Sequence, residues 1–446
     1  MSSASTRAAT SGEHAPVRTP WRWVALLSAT AIASYLCRVN ITVAGEPVMR
    51  EFGISQVAMG RVFSAFVAGY ALFMIPAGAL ADRWGTRRVL LLAAIGWTLV
   101  TAAMAGAGAG WLAVIGVVPT LIVLRAVLGV AEAPTFTAAA LGISKWVGAA
   151  RQGRANGFVL AAIGVGSAAA PPLITWLMTH WGWRIALFAT ALPALAVALV
   201  WMRVREPVPT ARDRGRATAG SSPDAPAPSR MPPSSWRADL ARLKSPSFIA
   251  LTVSYTLQGY VGYIFVFWFY LYLVQERKFA LAQSAWVSSL PWVLTIVSIP
   301  LGGWLSDRLV AGRAGPVWGR RIVPIVALTG GGILLAIGAS TSNAWLAAIA
   351  LAVATASVLA VEGPFWATML SLAGDRAGTA GGIMNMGSNV GGFISPALTP
   401  WLAAMIGWER SLHLAGVLGV VAGVLWLWVT PGVAPERPGA VEPTTS

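Results

Sequence analysis

The sequence predicts an all-α membrane protein with twelve transmembrane helices in two pseudo-symmetric six-helix bundles and both termini in the cytoplasm. Three observations carry this prediction. Hydrophobic residues make up 56% of the 446 and charged residues only 11%, where soluble domains average about 25% charged. Apolar stretches of the roughly 20 residues needed to span a hydrocarbon core recur twelve times. Features of the first six stretches then return, in order, in the last six.

Residues 1–21 form a polar cytoplasmic N-terminal tail. It has no apolar run followed by a small-residue cleavage site, so no secretory signal peptide is expected. The first bundle, residues 22–203, holds the stretches 22–45, 57–80, 89–108, 112–141, 153–177 and 184–202. Residues 204–246 read as a cytoplasmic central loop. Its segment PVPTARDRGRATAGSSPDAPAPSRMPPSS is rich in Pro, Ser and Arg, as disordered linkers are. The following WRADLARLKSP has the pattern of a short amphipathic helix lying on a membrane surface. The second bundle, residues 247–431, holds 247–273, 284–306, 322–340, 343–370, 379–404 and 411–430, and residues 432–446 form a cytoplasmic tail.

A net charge of +16 suggests nucleic-acid binding until its distribution is read. With the termini inside, 24 basic residues fall in the tails and cytoplasmic loops and six on the opposite side. That is the positive-inside bias of a membrane protein, so the charge reports topology and no nucleic-acid partner is expected. The single cysteine, Cys37, has no partner for an intramolecular disulfide.

The remaining two basic residues, Arg38 and Arg125, lie inside apolar stretches. Each costs about 3 kcal/mol or more at the bilayer centre and stays protonated, so each needs a polar interior and an anionic partner. For Arg38 the alternative is a side chain near enough to the headgroups to snorkel, if the helix ends near Asn40 and Thr42. Arg125 and Glu132 are seven residues apart, about 10.5 Å along a helix and about 20° around it, and so share a face. They read either as a working pair or as a fixed brace.

The two halves echo one another. Gly78-Ala-Leu-Ala-Asp82-Arg83 returns as Gly303-Trp-Leu-Ser-Asp307-Arg308, and Ala131-Glu132-Ala133-Pro134 returns as Val361-Glu362-Gly363-Pro364. Small-residue helices with prolines hold the fifth place of each half. Parallel six-helix repeats put a substrate site between halves near the midplane.

Gly78-Ala-Leu-Ala-Asp82-Arg83-Trp-Gly85-Thr-Arg87-Arg88 resembles the signature loop of the major facilitator superfamily. The resemblance implies a gating motif: a tight turn at Gly85 and a polar latch of Asp82 with Arg83, Arg87 and Arg88, closing the cytoplasmic side with Asp307 and Arg308. More selective are Tyr35-Leu-Cys-Arg38-Val-Asn40, Arg125-x6-Glu132-Ala-Pro134, Phe267-Trp-Phe-Tyr-Leu-Tyr272, Glu362-Gly-Pro-Phe-Trp366 and Gly381-Gly-Ile-Met-Asn385-Met-Gly-Ser-Asn389. Together, from helix 1 to helix 11, they resemble the anion:cation symporter family, which imports sugar acids and other carboxylates with protons. Where many sugar-acid members carry Asp before the helix 1 arginine, this chain has Cys37, which puts the coupling ratio in question.

On these grounds Arg38 and Arg125 are expected to hold a carboxylate. Tyr35, three residues before Arg38 on the same face, and Tyr70 would meet the rest of the substrate, as their counterparts do in family members. Asn389, Asn385 and Gln258 read as substrate contacts or as interhelical hydrogen-bonding groups, and Trp366 as a flat face for substrate carbons or as packing. Glu132 is the expected proton carrier, because burial favours its neutral form and neighbouring arginines its ionised form. Glu362 is the second candidate, or a structural carboxyl beside Pro364.

Other classes fit less well. A channel would show a charge ring or filter. An enzyme would show a catalytic constellation, whereas the three histidines are scattered and no metal-ligand cluster or phosphate-cradling loop is present. A receptor on this scaffold would carry a folded cytoplasmic domain. A drug/proton antiporter would favour acidic residues in an aromatic cavity. The reading is therefore a monomeric bacterial inner-membrane importer of an organic anion such as a hexuronate, aldonate or aldarate, with protons as further partner and no cofactor or metal. The sequence leaves open which carboxylate is carried, and whether Na⁺ coupling or anion exchange replaces proton symport.

Overall fold

The computed structural model describes residues 21–110, 112–147, 149–204, 244–373 and 377–431. The linker and amphipathic-helix expectations for residues 205–243, and those for the two tails, lie outside this set.

Every regular element among the described residues is a helix. In chain order these are α1 (Trp21–Phe52), α2 (Gln56–Ala105), α3 (Leu112–Ile115), α4 (Val117–Glu132), α5 (Thr135–Trp146), α6 (Ala149–Arg203), α7 (Pro246–Phe267) and α8 (Phe269–Gln275). They continue as α9 (Leu281–Ala311), α10 (Gly315–Ser340), α11 (Ala344–Leu359), α12 (Glu362–Ala373), α13 (Ala377–Ile406) and α14 (Trp408–Leu425). Among the described residues eight helical segments are long and apolar enough to cross a membrane. Two of them, within α2 and α6, each contain two of the expected apolar stretches.

The reason is local. Gly85 (φ 79°, ψ 164°) breaks α2 and Gly182 (φ 80°, ψ 164°) breaks α6, each giving a sharp corner without a loop. Only glycine takes that backbone conformation readily. The expected helix 112–141 is also divided, because Pro134 lacks the N–H that would continue α4. The second half breaks at the matching place, Ala360–Val361, just before Glu362 and Pro364. Helix α1 runs past Asn40 and Thr42 to Phe52, beyond the expected end at 45.

Within the N-terminal half α1 packs on α6 and α2 on α4; within the C-terminal half α7 packs on α13 and α10 on α14. Small residues permit this. A Cβ on Gly129 of α4 would collide with the Phe66 carbonyl of α2, the close backbone approach that helices use where hydrophobic burial provides no drive.

The halves meet through α2 on α13 and α6 on α9. Apart from weak contacts of Asn385 and Asn389 with Met74, the hydrogen bonds between them among the described residues lie between the middle of the molecule and the end that carries the 53–55 turn. Gln56 donates to Gln275 (2.7 Å), Trp408 to Gln56 (3.2 Å), Ser64 to the Phe393 carbonyl (2.7 Å) and Ser289 to the Ala168 carbonyl (2.6 Å). Phe63 stacks on Phe267 with ring centres 5.3 Å apart. Gly60 sits against the Pro396 carbonyl.

At the opposite end the polar groups bond within their own half. Arg87 caps the end of α6 through the carbonyls of Trp201 (3.0 Å) and Met202 (2.6 Å). Arg321 does the same for the chain after α14, at the Val429 carbonyl (2.6 Å). Both place a cation at the negative end of a helix. Asp307 pairs with Arg320 at 2.5 Å, and Arg308 lies over the Trp304 ring. Asp82, Arg83 and Arg88 are exposed near Gly78 and Gly85, and Asp82 forms no ion pair with a described residue.

The packing at Gly60 makes a testable demand. Gly60→Val should wedge the halves apart at the 53–55 end. In a Cys37→Ala, Ser64→Cys background it should accelerate labelling by a membrane-impermeant thiol reagent several-fold. Equal labelling rates with Gly or Val at residue 60 would mean that this contact does not hold the end closed.

Candidate functional site

The polar centre of the molecule is built on α1 and α4. Arg38 is 6% exposed, so the continuing α1 helix buries it in the interior and no snorkelling position exists. Its Nε donates to Glu132 Oε1 at 2.9 Å, and Nη2 lies 2.8 Å from the same oxygen, an ion-pair contact without hydrogen-bond alignment. Nη1 donates to the Tyr35 hydroxyl at 3.2 Å. The guanidinium carbon lies 4.4 Å from the Tyr35 ring centre, 4.9 Å from Phe66 and 5.1 Å from Tyr70, within the range of cation–π attraction.

Glu132 ends α4 and is fully buried. Oε1 also accepts from the Ser34 hydroxyl at 2.6 Å, while the buried Oε2 has no hydrogen-bond partner. Arg125, one face and two turns earlier, is fully buried. Nη1 donates to the Arg38 main-chain carbonyl at 3.1 Å, and Nε and Nη2 have no hydrogen-bond partner among the described residues.

Arg125 and Glu132 therefore share a face as expected but do not pair; Arg38 enters from α1 and takes the carboxylate. Their axial offset explains this, since about 10.5 Å leaves room for a third group between them. Cys37 points away from the centre, its Sγ 3.6 Å from the Thr190 carbonyl of α6.

The C-terminal half contributes a second cluster. Glu362 opens α12. It accepts from the Tyr255 hydroxyl at Oε2 (2.9 Å) and from the Gln258 amide at Oε1 (3.1 Å). Gln258 is thus a partner of Glu362 rather than of the arginines. Asn385 and Asn389, on one face of α13, both direct Nδ2 toward the Met74 thioether of α2, at 3.7 and 3.9 Å. Asn389 also donates to the Asn385 carbonyl (2.9 Å). Trp366 is 39% exposed on α12 and borders Gly381 of α13. No contact joins it to the arginines.

Ser34, Phe66, Met74 and Tyr255 belong to these clusters and were not singled out in the sequence. Ser34 stands four residues before Arg38, and Tyr255 three before Gln258, so helical spacing from a chosen residue would have found both. Phe66, which lies between the two guanidiniums (4.6 Å from Arg125), carries no such signal in an apolar helix. Among the described residues no group of His, Cys, Asp and Glu is arranged to hold a metal.

This arrangement has a definite chemistry. Two Arg125 donors and one Glu132 oxygen on the same face of α4 are buried without a hydrogen-bond partner among the described residues, and such groups are costly unless something bonds them. A planar carboxylate or sulfonate fits a guanidinium edge through two charge-assisted bonds. A proton fits the free Oε2.

The family model of the major facilitator superfamily matches residues 26–396 and 309–445. The chain is 29% identical to the probable sulfoacetate transporter SauU of Cupriavidus necator, over 91% of this chain and 92% of that one. It is 24% identical to the hexuronate transporter of Bacillus subtilis (90% and 92% covered) and 26% identical to the D-galactonate transporter of Escherichia coli (92% and 96%). In fold it resembles a bacterial homologue of the human lysosomal transporter Spinster in an inward-facing, occupied conformation. The TM-score there is 0.75 at 18% identity, with 93% of this chain and 97% of that chain covered. The D-xylose–proton symporter follows with a TM-score of 0.70 at 17% identity (92% and 98% covered).

Glu132→Ala should destabilise the protein by about 3–5 kcal/mol, because it strands the buried Arg38 without a counter-ion. Thermal unfolding in detergent checks this. A melting temperature within a degree of the parent would show that Arg38 finds another partner at no cost.

Proposed function

Because the chain belongs to the major facilitator superfamily, we propose that it is a secondary transporter that imports a small organic anion with protons, by alternating access. The carrying observation is that two buried donors of Arg125 and Oε2 of Glu132, on one face of α4, lack hydrogen-bond partners among the described residues. Relatives whose names specify sulfoacetate, hexuronate and galactonate support an organic anion as cargo, and those relatives are transporters, not enzymes.

In this reading twelve spans form two bundles, residues 22–203 and 247–431, in a bacterial inner membrane with both termini cytoplasmic. The 53–55 end then faces the periplasm and is closed, and the Gly85 end faces the cytoplasm. The state is inward-facing. The Asp82–Arg83–Arg87–Arg88 loop and Asp307–Arg308 are the groups that close the inner side when the halves rock.

The substrate's anionic group bonds Nε and Nη2 of Arg125. Tyr35 and Tyr70, around Arg38, receive its body, and Asn389 and Asn385 approach from α13. A proton on Oε2 of Glu132 removes the counter-charge of Arg38, which then turns to the substrate. Anion and proton thus favour each other at one site, which is the requirement of symport. A cationic drug meets two guanidiniums instead, and at an effective dielectric of about 20 like charges about 4 Å apart cost about 4 kcal/mol.

Proteoliposome uptake with an imposed pH gradient tests the proposal. Accumulation of sulfoacetate, galactonate or a hexuronate supports it; sustained ethidium efflux with no response to any of these acids overturns it.

Arg125→Lys keeps the charge but loses the planar fork, and should weaken anion binding at least tenfold by calorimetry. Unchanged binding would move the anion away from Arg125.

Glu132→Gln should preserve exchange of substrate between two pools while pH-driven accumulation falls. One coupled proton is worth 2.303RT per pH unit, so accumulation should drop about tenfold for each pH unit of gradient. Accumulation equal to the parent's would assign the proton elsewhere.

A further inference from the structure

We propose that Glu362 is a second proton-binding carboxyl of the transport site, and that it fits the site to dianions such as a sulfonate–carboxylate or an aldarate. The inference rests on the transport reading above and adds its proton count and substrate charge.

Glu362 follows the helix break in the second half as Glu132 precedes the break in the first. Their partners differ in charge. Glu132 is held by a guanidinium, whereas the groups around the Glu362 carboxyl are neutral: the Tyr255 phenol and the Gln258 amide donate to it, and Trp366 lies beside it. No Lys or Arg among the described residues forms an ion pair with it.

The elements around it supply little else that titrates. Helix α7 offers Tyr255, Tyr260 and Tyr263, of which Tyr260 bonds Thr399. Helix α13 has no ionisable residue. The ionisable residues of α9 and α10 are Asp307, Arg308, Arg320 and Arg321, at the Gly85 end, and Asp307 is paired with Arg320. Each half thus presents one carboxyl at its helix break.

The contacts of Glu362 suit reversible protonation. Tyr255 donates to an ionised Oε2, and when a proton occupies Oε2 the same hydroxyl oxygen accepts it, because a hydroxyl does both. Gln258 keeps donating to Oε1 in either state, and its second contact, the Val358 carbonyl at 3.3 Å, is unaffected. The proton arrives and leaves without any heavy atom having to move.

Charge then sets the cargo. Arg38, Arg125, Glu132 and Glu362 sum to zero when both carboxyls are ionised, so the empty site can reorient without an uncompensated buried charge. One proton brings the site to +1 and two bring it to +2. A loaded site is neutral again when it takes as many protons as the anion has charges, up to two. Without Glu362 the empty site would carry +1 through the membrane interior.

The test is accumulation in proteoliposomes held at zero membrane potential, where each coupled proton contributes tenfold per pH unit. The parent should accumulate sulfoacetate about 100-fold per pH unit and D-galactonate about tenfold. Glu362→Gln should reduce the sulfoacetate value to about tenfold and keep sulfoacetate exchange. If that variant does not exchange, Glu362→Asp should restore the hundredfold value, and the parent's own value stands independently of either. A tenfold value for sulfoacetate in the parent overturns the inference, as does a hundredfold value in Glu362→Gln. Uptake of galactonate without sulfoacetate or galactarate overturns the dianion assignment while leaving organic-anion transport standing. No uptake of any organic anion overturns the transport reading itself, and this inference with it.

Discussion

The structure depends on keeping a permanent cation inside hydrocarbon. Arg38 cannot lose its proton and is 6% exposed, so α1 is tolerable there only with an anion in contact. Glu132 supplies it, and in doing so fixes α1 against α4. Ser34, Tyr35 and Phe66 complete the enclosure, giving the carboxylate a hydroxyl donor and the guanidinium aromatic faces. The enclosure is incomplete by design of its parts. Among the described residues Arg125 brings a second guanidinium whose only hydrogen bond is to a main-chain carbonyl, and Glu132 uses one oxygen of two. A fixed structural ion pair leaves no such remainder. The uptake and release of an anion and a proton proposed above would require one.

The helix breaks serve the same centre. Pro134 ends α4 at Glu132, and the Ala360–Val361 break starts α12 at Glu362, so each half presents a carboxyl where the helix is interrupted. Around them small residues allow backbones to touch, as at Gly129 against Phe66, which brings the Phe66 ring between the two arginines. Gly85 and Gly182 provide corners that return the chain without loops. The halves differ in charge, however: both buried arginines belong to the first, and the carboxyl of the second is held by neutral donors. That asymmetry gives the interface one side with buried cations and one whose carboxyl has neutral partners.

How much of this was legible follows from the kind of signal each residue gives. Arg38, Arg125, Glu132 and Glu362 stood out because an ionisable residue in an apolar run is costly and therefore rare, and all four lie in the two clusters found. Gly85 stood out because a turn needs its backbone freedom. Phe66 and Met74 were invisible, because an aromatic ring or a thioether among apolar neighbours looks like packing until a cation or an amide is seen beside it. Trp366 and Gln258 were plausible as substrate contacts by residue type. Both instead lie beside Glu362, and Trp366 also borders Gly381, which residue type alone cannot reveal.

The sequence by itself determined membrane embedding, the pairing of two similar halves and the need for buried counter-charges, since these follow from composition, repeat and the cost of charge in hydrocarbon. The tertiary structure decided which charge meets which. Arg125 and Glu132 share a helix face, and one-dimensional spacing joins them; the approach of α1 puts Arg38 between them and leaves Arg125 with free donors. It also decided which end is closed, because Gln56, Gln275 and Trp408 are far apart in the chain and meet only when the halves pack. Spacing along one helix reports neighbours on that helix, whereas the partner of a buried charge comes from whichever element the packing brings alongside.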